Sequence, residues 1–552
     1  MNKRYNAIAI LVTSLLLIGG VSSCMPSDLN TNIYGVTEEE NNAGGRSVGS
    51  PVMTIMQKII PIGTPDQTTG PGNDLQATDL ISSGNYIGYF GNNNNWNFSI
   101  ESNWAYPDNR MEYILSCLYT KAYQAWNDVY QTIGKSEKPT DQQMFAVAQV
   151  LKVIAWTRAT DAFGPIVYTQ AGDADIEPKP DSQEVVYKSM LGDLENAAKI
   201  LNATPNKVME KFDLVYNGDA TKWTKLANSL MLRLAVRTHF VAPELAREYI
   251  AKALDPANGG VIEAVADEAV LKSSSKITLL NPMLASIDYG ETRMGGTIWS
   301  YLDGYNDPRI GKYFKKGTFR GMEGYYSILN TNDMPKRDSE SGDTSPFFAS
   351  QPNVEASTGI YWLRASEVAF LKAEAALYGF YEGSPKEYYE KGVKLSFEEN
   401  GLSGADEYLT RTVKPTDISA MTNNWYVNYI YNSRISNNNV CPSWDYMSTE
   451  KDEQEEQLQK IITQKYLAMY PNAIEAWTEY RRTGYPYIHR PVDRSAPARI
   501  EGPGLLAPER FKFASTEYST NKNMAIVPEL LGGPDIGSTR LWWVRKDRPT
   551  QN

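Results

Sequence analysis

Cysteine and histidine are scarce in this chain. Among its 552 residues there are three cysteines, at positions 24, 117 and 441, and two histidines, His239 and His489. So few cysteines exclude a disulfide-rich scaffold, and no Cys/His cluster with zinc-ligand spacing can be assembled. Catalysis by a Ser-His or Cys-His pair would have to use one of the two histidines, and neither has an adjacent nucleophile motif. We therefore predict no metal site, no cofactor and no catalytic residue.

The chain also lacks an excess of positive charge. It carries 54 basic and 65 acidic side chains, a net charge of −11. Nucleic-acid binding needs a basic footprint, so we predict no nucleic-acid partner. Beyond the first 24 residues, no apolar run approaches the length of a membrane span.

The N-terminus holds the one long apolar run. Two basic residues precede it, it covers 7–20, and small residues then lead to Cys24. This is the three-part pattern of a signal peptide, and small residues directly before a cysteine resemble the lipobox of bacterial lipoproteins. We predict a signal peptide at 1–23 and a lipid (palmitate) on Cys24; the alternatives are a plain secretory signal or an uncleaved anchor. The polar, Gly- and Asn-rich stretch 24–50 predicts a flexible tether.

Helical periodicity dominates the remaining chain, 51–552. Apolar residues recur at helix spacing in eight segments, which form four consecutive pairs. The pairs are 112–132 with 141–160, 182–201 with 219–241, 363–378 with 384–398, and 449–469 with 473–481. Between about 255 and 360 the periodicity is lost and Gly, Asn, Asp, Ser and Pro are common. We predict an all-α fold of four tetratricopeptide-like helix pairs with a long, irregular, loop-rich insertion.

Five motifs run in order along these segments. They are Thr160-Asp-Ala-Phe-Gly-Pro-Ile-Val-Tyr168, the helix from Trp223 to Ala235, Asp307-Pro-Arg309, the helix from Arg364 to Ala376, and the stretch from Gln464 to Pro486 with its Arg-Arg-Thr-Gly-Tyr-Pro turn. Beside the lipobox, they resemble the SusD/RagB family of outer-membrane nutrient-binding lipoproteins, most of all its SusD-like subgroup. From the residues alone, we expect the charged side chains of the last two motifs to form ion pairs between helices.

The resemblance implies a function as well as a fold. It implies a lipid-anchored protein of the outer membrane, facing the cell surface, that binds an oligosaccharide or a peptide without catalysis. It also implies a partner, a TonB-dependent SusC-like transporter, to which the ligand is delivered. Two alternatives stay open. One is a secreted glycoside hydrolase that uses a carboxylate pair, such as Asp288 with Glu291 or Asp303 with Asp307; the other is a structural partner of the transporter that binds no ligand.

Two stretches of the chain have the composition of a sugar site. Sugars need flat aromatic faces together with amide or carboxylate groups for their hydroxyls. The first stretch precedes the first helix pair and supplies Trp96, Asn97, Trp104 and Tyr106. The second lies in the insertion and supplies Tyr289, Trp299, Tyr301 and Tyr325. For the first stretch, the alternative is a packed loop whose Trp96 and Trp104 cover the helix ends.

Overall fold

Helices dominate the computed structural model, as the sequence predicts. The structure describes residues 45–62, 70–92, 102–288, 292–319, 321–328, 349–418, 440–448, 452–491 and 495–549. Residues 48–552 cluster as one compact unit. Within the described ranges, no helix has both the length and the apolar character needed to cross a bilayer.

The first helix begins earlier than the predicted tether allows. Helix α1, Arg46–Lys58, starts inside the stretch 24–50 and buries an apolar face that includes Val52 and Ile55. The predicted lipid site, Cys24, lies outside the described residues. The next elements are α2, Gly70–Leu75, a π-helical segment, Gln76–Ser83, α3, Gly84–Tyr86, and strand β1, Phe90–Asn92.

Six helices follow before the insertion. They are α4, Asp108–Leu115, α5, Lys121–Ile133, α6, Pro139–Phe163, α7, Gln183–Ala203, α8, Ala220–Thr238, and α9, Pro243–Leu254. A π-helical turn, Ser116–Thr120, joins α4 to α5. The first two predicted pairs are present, because α5 packs against α6 and α7 against α8. Asp219 caps α8 by accepting the backbone N–H groups of Thr221 and Lys222. Helix α9 was not predicted.

The insertion is more ordered than predicted. It contains β2, Ala269–Leu271, α10, Met283–Asp288, β3, Thr292–Met294, α11, Gly296–Gly304, α12, Ile310–Tyr313, β4, Gly317–Phe319, and β5, Met322–Gly324, and it ends at β6, Ile360–Leu363. The strands pair antiparallel as β1 with β3, β2 with β6, and β4 with β5. Ile328 forms an isolated β-bridge with Gly295.

The second half restores the helical order. Its helices are α13, Ala365–Leu377, α14, Pro385–Glu399, α15, Ala405–Tyr408, α16, Glu453–Ala468, and α17, Ala473–Thr483, followed by the short α18, Ala496–Arg499, α19, Ser515–Thr520, and α20, Val527–Leu531. The Ser384 side chain caps α14 by accepting the Glu387 N–H. Helices α13 and α14 form the third pair. The fourth pair is more open: α16 packs on α13 and α14, whereas α17 packs on α6 and the π-helical segment.

Buried ion pairs join the second, third and fourth pairs, as the sequence predicts. Arg233 of α8 binds both oxygens of Glu367 on α13, each at 2.7 Å. Arg482 of α17 binds both oxygens of Glu374 on α13, at 2.5 and 2.7 Å. These side chains are at most 7% exposed. Opposite charges therefore fix the helices against each other inside the core.

Arg481 departs from this expectation. Its guanidinium donates to the backbone carbonyls of Asp161 at 2.6 Å and Glu509 at 2.9 Å instead of pairing with a carboxylate. It also lies over the Trp477 ring, 3.5 Å from the centroid. Arg481 thus ties the C-terminal end of α6 and the C-terminal segment to α17 through the main chain.

Candidate functional site

The two predicted aromatic stretches meet at the ladder formed by β1 and β3. In this ladder Phe90 lies opposite Met294 and Asn92 lies opposite Thr292. Asn92 and Thr292 therefore lie at the same end of the ladder, and in the sequence they adjoin the stretches 93–101 and 289–291. Three candidates belong to these stretches and lie outside the described residues: Trp96, Asn97 and Tyr289. Their ligand contact stays a prediction.

Trp104 and Tyr106 are buried behind the ladder. Trp104 is 2% exposed and meets the edge of Tyr86, and Tyr106 is 8% exposed and meets the edge of Phe511. The expected ligand contact of these two rings is therefore corrected to a packing role, because neither offers an open face. Trp104 also holds a positive φ of 62°, a conformation that a bulky residue adopts only where its surroundings enforce it.

Trp299 and Tyr301 of α11 are corrected in the same way. Tyr301 is fully buried and donates its hydroxyl to the Tyr487 carbonyl at 2.9 Å. Trp299 is 5% exposed and donates its Nε1–H to the Tyr325 carbonyl at 2.9 Å. Both residues hold the chain around the ladder in place. The ring of Tyr325 is half-buried, so it keeps a partly open face.

A small cavity lies beside the ladder. Its volume is about 30 Å³, and its lining includes Phe90, Trp104, Thr297, Ile328 and His489. Such a space has room for a water or two but not for a sugar ring. The described residues around the ladder are the floor of the candidate site, and this cavity offers no space for a sugar ring.

Backbone crowding fixes this floor. A Cβ on Gly295 would collide with the Gly88 carbonyl, and a Cβ on Gly91 would collide with the Ile328 carbonyl. Gly295 donates its N–H to the Tyr89 carbonyl at 2.9 Å, and Ile328 donates to the Met294 carbonyl at 2.9 Å. Three chain segments therefore approach each other more closely than any side chain at these glycines would permit.

The chain was compared with protein families and with known proteins. The family model of SusD and RagB outer membrane lipoproteins, described as SusD-like, matches residues 28–544. The chain belongs to the SusD-like family. No curated protein matches it.

Solved structures of SusD homologues share the fold of this SusD-like chain. BT1043 is 53% identical with a TM-score of 0.88, covering 92% of this chain and 99% of its own. A SusD homologue from Bacteroides uniformis is 31% identical with a TM-score of 0.75, covering 91% and 99%. A SusD homologue from Flavobacterium johnsoniae, described as chitin-binding, is 30% identical with a TM-score of 0.77, covering 91% and 99%.

One Ser-His contact of the SusD-like chain has hydrogen-bond geometry. The Ser300 Oγ lies 3.0 Å from the Nε2 of His489. Ser300, however, is in the middle of α11 and has no exposed surface. Burial also lowers the pKa of His489 to about 4, which makes its imidazole a weak general base near neutral pH. The pair therefore suits a structural link between α11 and the segment around His489.

Asp303 and Asp307, one of the two carboxylate pairs named for the hydrolase alternative, are not arranged as a cleft pair. Asp307 is buried and chelated by Arg309, with Oδ2 at 2.6 Å from Nη2 and Oδ1 at 3.0 Å from Nε. Asp303 is exposed and accepts the Thr416 hydroxyl at 2.7 Å. A glycosidase needs two carboxyl groups facing one substrate space, and Asp307 has no such access. Glu291 and the side chain of Asp288 lie outside the described residues.

The remaining cysteine and histidine side chains are buried within the described ranges. Cys117 and Cys441 are both free thiols, and burial raises the pKa of Cys117 to about 12. The Nε2 of His239 lies 2.8 Å from Glu374, and burial lowers its pKa. The described residues contain no group of three or more His, Cys, Asp or Glu side chains that could hold a metal ion.

Proposed function

We propose that this SusD-like chain is a lipid-anchored protein of the outer-membrane surface that captures an oligosaccharide and delivers it to a TonB-dependent SusC-like transporter. Its role is binding, without catalysis, and Cys24 carries the lipid. The observation that carries the proposal is the register of β1 and β3, because Asn92 and Thr292, which adjoin the stretches containing Trp96 and Tyr289 in the sequence, lie opposite each other. The family description and the chitin-binding relative support the membrane location and the ligand class.

Ligand capture follows from this arrangement in physical terms. Aromatic faces cover the C–H surfaces of sugar rings, and Asn97 supplies both donors and an acceptor for hydroxyl groups. The floor is fixed by backbone contacts, so the binding side chains extend from a rigid base. Binding costs the ligand translational and rotational freedom and immobilises side chains, which keeps affinity at about the micromolar range or weaker.

Binding is tested with a glycan array, followed by calorimetry on the best ligand. We expect Trp96→Ala to weaken binding about tenfold, the loss of roughly 1.4 kcal/mol of ring contact. Tyr446→Ala, which removes an aromatic ring that is 46% exposed on another segment, serves as the matched control. Unchanged affinity in Trp96→Ala would refute the candidate site at the ladder.

Delivery and anchoring are tested in cells of the source bacterium. We expect an outer-membrane barrel to copurify with the chain at near-equal stoichiometry and Cys24→Ala to lose lipid labelling and membrane retention. Absence of a barrel partner would refute the transport step. Release of free sugar from the bound oligosaccharide by purified chain would refute the binding-only role.

A further inference from the structure

A second groove lies away from the β1–β3 ladder. It is bounded by the π-helical turn and α5, by the loop 164–182, and by the segment 513–524 that includes α19, and its volume is about 320 Å³. This is within the range of volumes that hold small ligands. All three boundaries consist of described residues.

Two stacked tyrosines form the aromatic side of the groove. Tyr119 and Tyr123 are four residues apart and nearly parallel, with ring centroids 5.9 Å apart and an interplanar angle of 16°. Tyr119 is in turn stacked on the buried Trp156 at 4.8 Å, and its hydroxyl donates to the Val167 carbonyl at 2.7 Å. Both tyrosines are only partly buried. They are thus held from behind and present ring surface to the groove.

One of the two tyrosines lies in the π-helical turn. Residue Tyr119 lies inside it, and the wider turn shifts the helix face by part of a turn relative to a regular α-helix. Such turns are rare, and they occur often where a side chain is presented for function.

The charged lining of the groove is acidic. Asp173, Asp175 and Glu517 line it, together with the amide of Gln170, and no lysine or arginine is among its described lining residues. None of the three carboxylates forms an ion pair with a described residue. The Glu517 carboxylate has no hydrogen-bond partner among the described residues either, although it is half-buried, and burial beside Glu112 raises its pKa.

A partly buried carboxylate without a partner is unfavourable, and a bound cation would remove the penalty. A metal ion does not fit, since the described residues offer no cluster of three or more metal-ligating groups. An ammonium group fits better, because it is attracted both by carboxylates and by the faces of tyrosine rings. An anionic ligand such as a uronic acid would be repelled.

We propose that this groove is a second saccharide site that takes an amine-bearing sugar unit, with the ring stacked on Tyr119 and Tyr123 and the ammonium group facing the acidic lining of the groove. The choice of a saccharide rests on the proposed function. The groove and the β1–β3 ladder share no described lining residue, so the two sites can be disabled separately.

The test is calorimetry of the full chain in detergent with a β-1,4-linked glucosamine tetramer at about pH 6, where an amine is protonated. The N-acetylated tetramer, which has the same rings without the charge, is the comparison ligand. We expect the glucosamine tetramer to bind more tightly than the acetylated one, and to bind more weakly as salt rises, because salt screens exposed charges.

The variants remove the charge or the ring. We expect the double variant Glu517→Gln with Asp173→Asn to weaken binding of the glucosamine tetramer at least tenfold, and Tyr123→Leu to weaken binding of both tetramers. Glu244→Gln removes an exposed carboxylate outside the groove and should change nothing. The urea unfolding midpoint of each variant shows whether the fold is intact.

Three results would overturn the proposal that the groove is a saccharide site. They are no heat of binding for the glucosamine tetramer up to about 5 mM, equal affinity in the double charge variant, or loss of binding in Trp96→Ala alone. The last result would leave the proposed function standing, since it would place the sugar at the ladder. Conversely, the groove variants could lose binding of the glucosamine tetramer while Trp96→Ala leaves glycan binding unchanged. That result would support the saccharide site in the groove and refute the candidate site at the ladder.

Discussion

Replacing Arg482 by Met should be one of the most destabilising single changes in the helical scaffold. The guanidinium of Arg482 bridges Glu374, at 2.5 and 2.7 Å, and Glu479, at 2.6 Å. All three side chains are at most 3% exposed. Methionine keeps most of the apolar stem but leaves two carboxylates in the core without their shared cation.

The size of the effect follows from burial. Removing one partner of a buried pair costs about 3–5 kcal/mol, because the remaining charge stays desolvated. Total stabilities are about 5–15 kcal/mol, so the change is a large fraction of the whole. Three contacts reduce the loss, since Glu374 keeps His239 at 2.8 Å and Glu479 keeps Lys465 at 3.6 Å and Arg237 at 3.8 Å. We therefore expect a value near 3 rather than 5 kcal/mol, an order-of-magnitude figure.

The assay is urea unfolding followed by tryptophan fluorescence at pH 7. The matched control is Lys188→Ala, which breaks a pair with Glu184 of similar length, 2.6 Å, whose side chains are 54% and 46% exposed. Exposed pairs of this kind contribute about 0.5 kcal/mol or less. If Arg482→Met costs no more than Lys188→Ala, the inference that buried charge holds α17 to α13 is refuted.

Three further predictions concern pH, the ladder and the thiols. Stability should fall as pH drops from about 6.5 towards 4. His239 is protonated near pH 6.5 in the unfolded chain, but burial lowers its pKa in the folded chain, so acid favours the unfolded state. Arg237 lowers the pKa of Glu475 to about 2 despite burial, so the stabilisation from this carboxylate is present only above its unfolded pKa. Urea midpoints across this range test it, and a flat profile would contradict it. Gly295→Ala should cost about 1–3 kcal/mol and abolish glycan binding, whereas Gly192→Ala, with nothing within 4 Å of its Cβ, should do neither. Cys117 should react with a thiol reagent only after unfolding, since it is buried with a raised pKa; fast labelling of the native chain would show otherwise.

The helix pairs were predictable because each buries one stripe of side chains. Apolar residues in α7 and α8 recur at helix spacing, and the capping side chains Asp219 and Ser384 mark helix starts at the right places. Helical spacing and capping residues can both be identified in a short stretch of sequence. Helix α11 was missed for the opposite reason: Gly296 to Leu302 are all buried, so no polar face reveals its period.

The candidate site at the ladder was less predictable, because aromatic composition does not show which rings are buried. Tyr301 and Trp299 read as candidates for sugar stacking, yet their polar atoms bond to backbone carbonyls within the core. Tyrosine and tryptophan serve both purposes equally well. The groove could not be predicted either. Tyr119 and Tyr123 follow the helix period, and nothing in the sequence shows that the loop near residue 173 packs beside them.

Long-range pairing decides where function can lie in this fold. Phe90 and Met294 are about two hundred residues apart, and their register brings Asn92 and Thr292, which adjoin the two candidate stretches in the sequence, to one end of a ladder. The motifs that identify the family do something else: Arg233, Glu374 and Arg482 hold helices together in the core. Changes in the stretches at the ladder can therefore alter the ligand without disturbing these pairs. On this reasoning, relatives with the same buried ion pairs should share the fold while differing in the sugars that they bind.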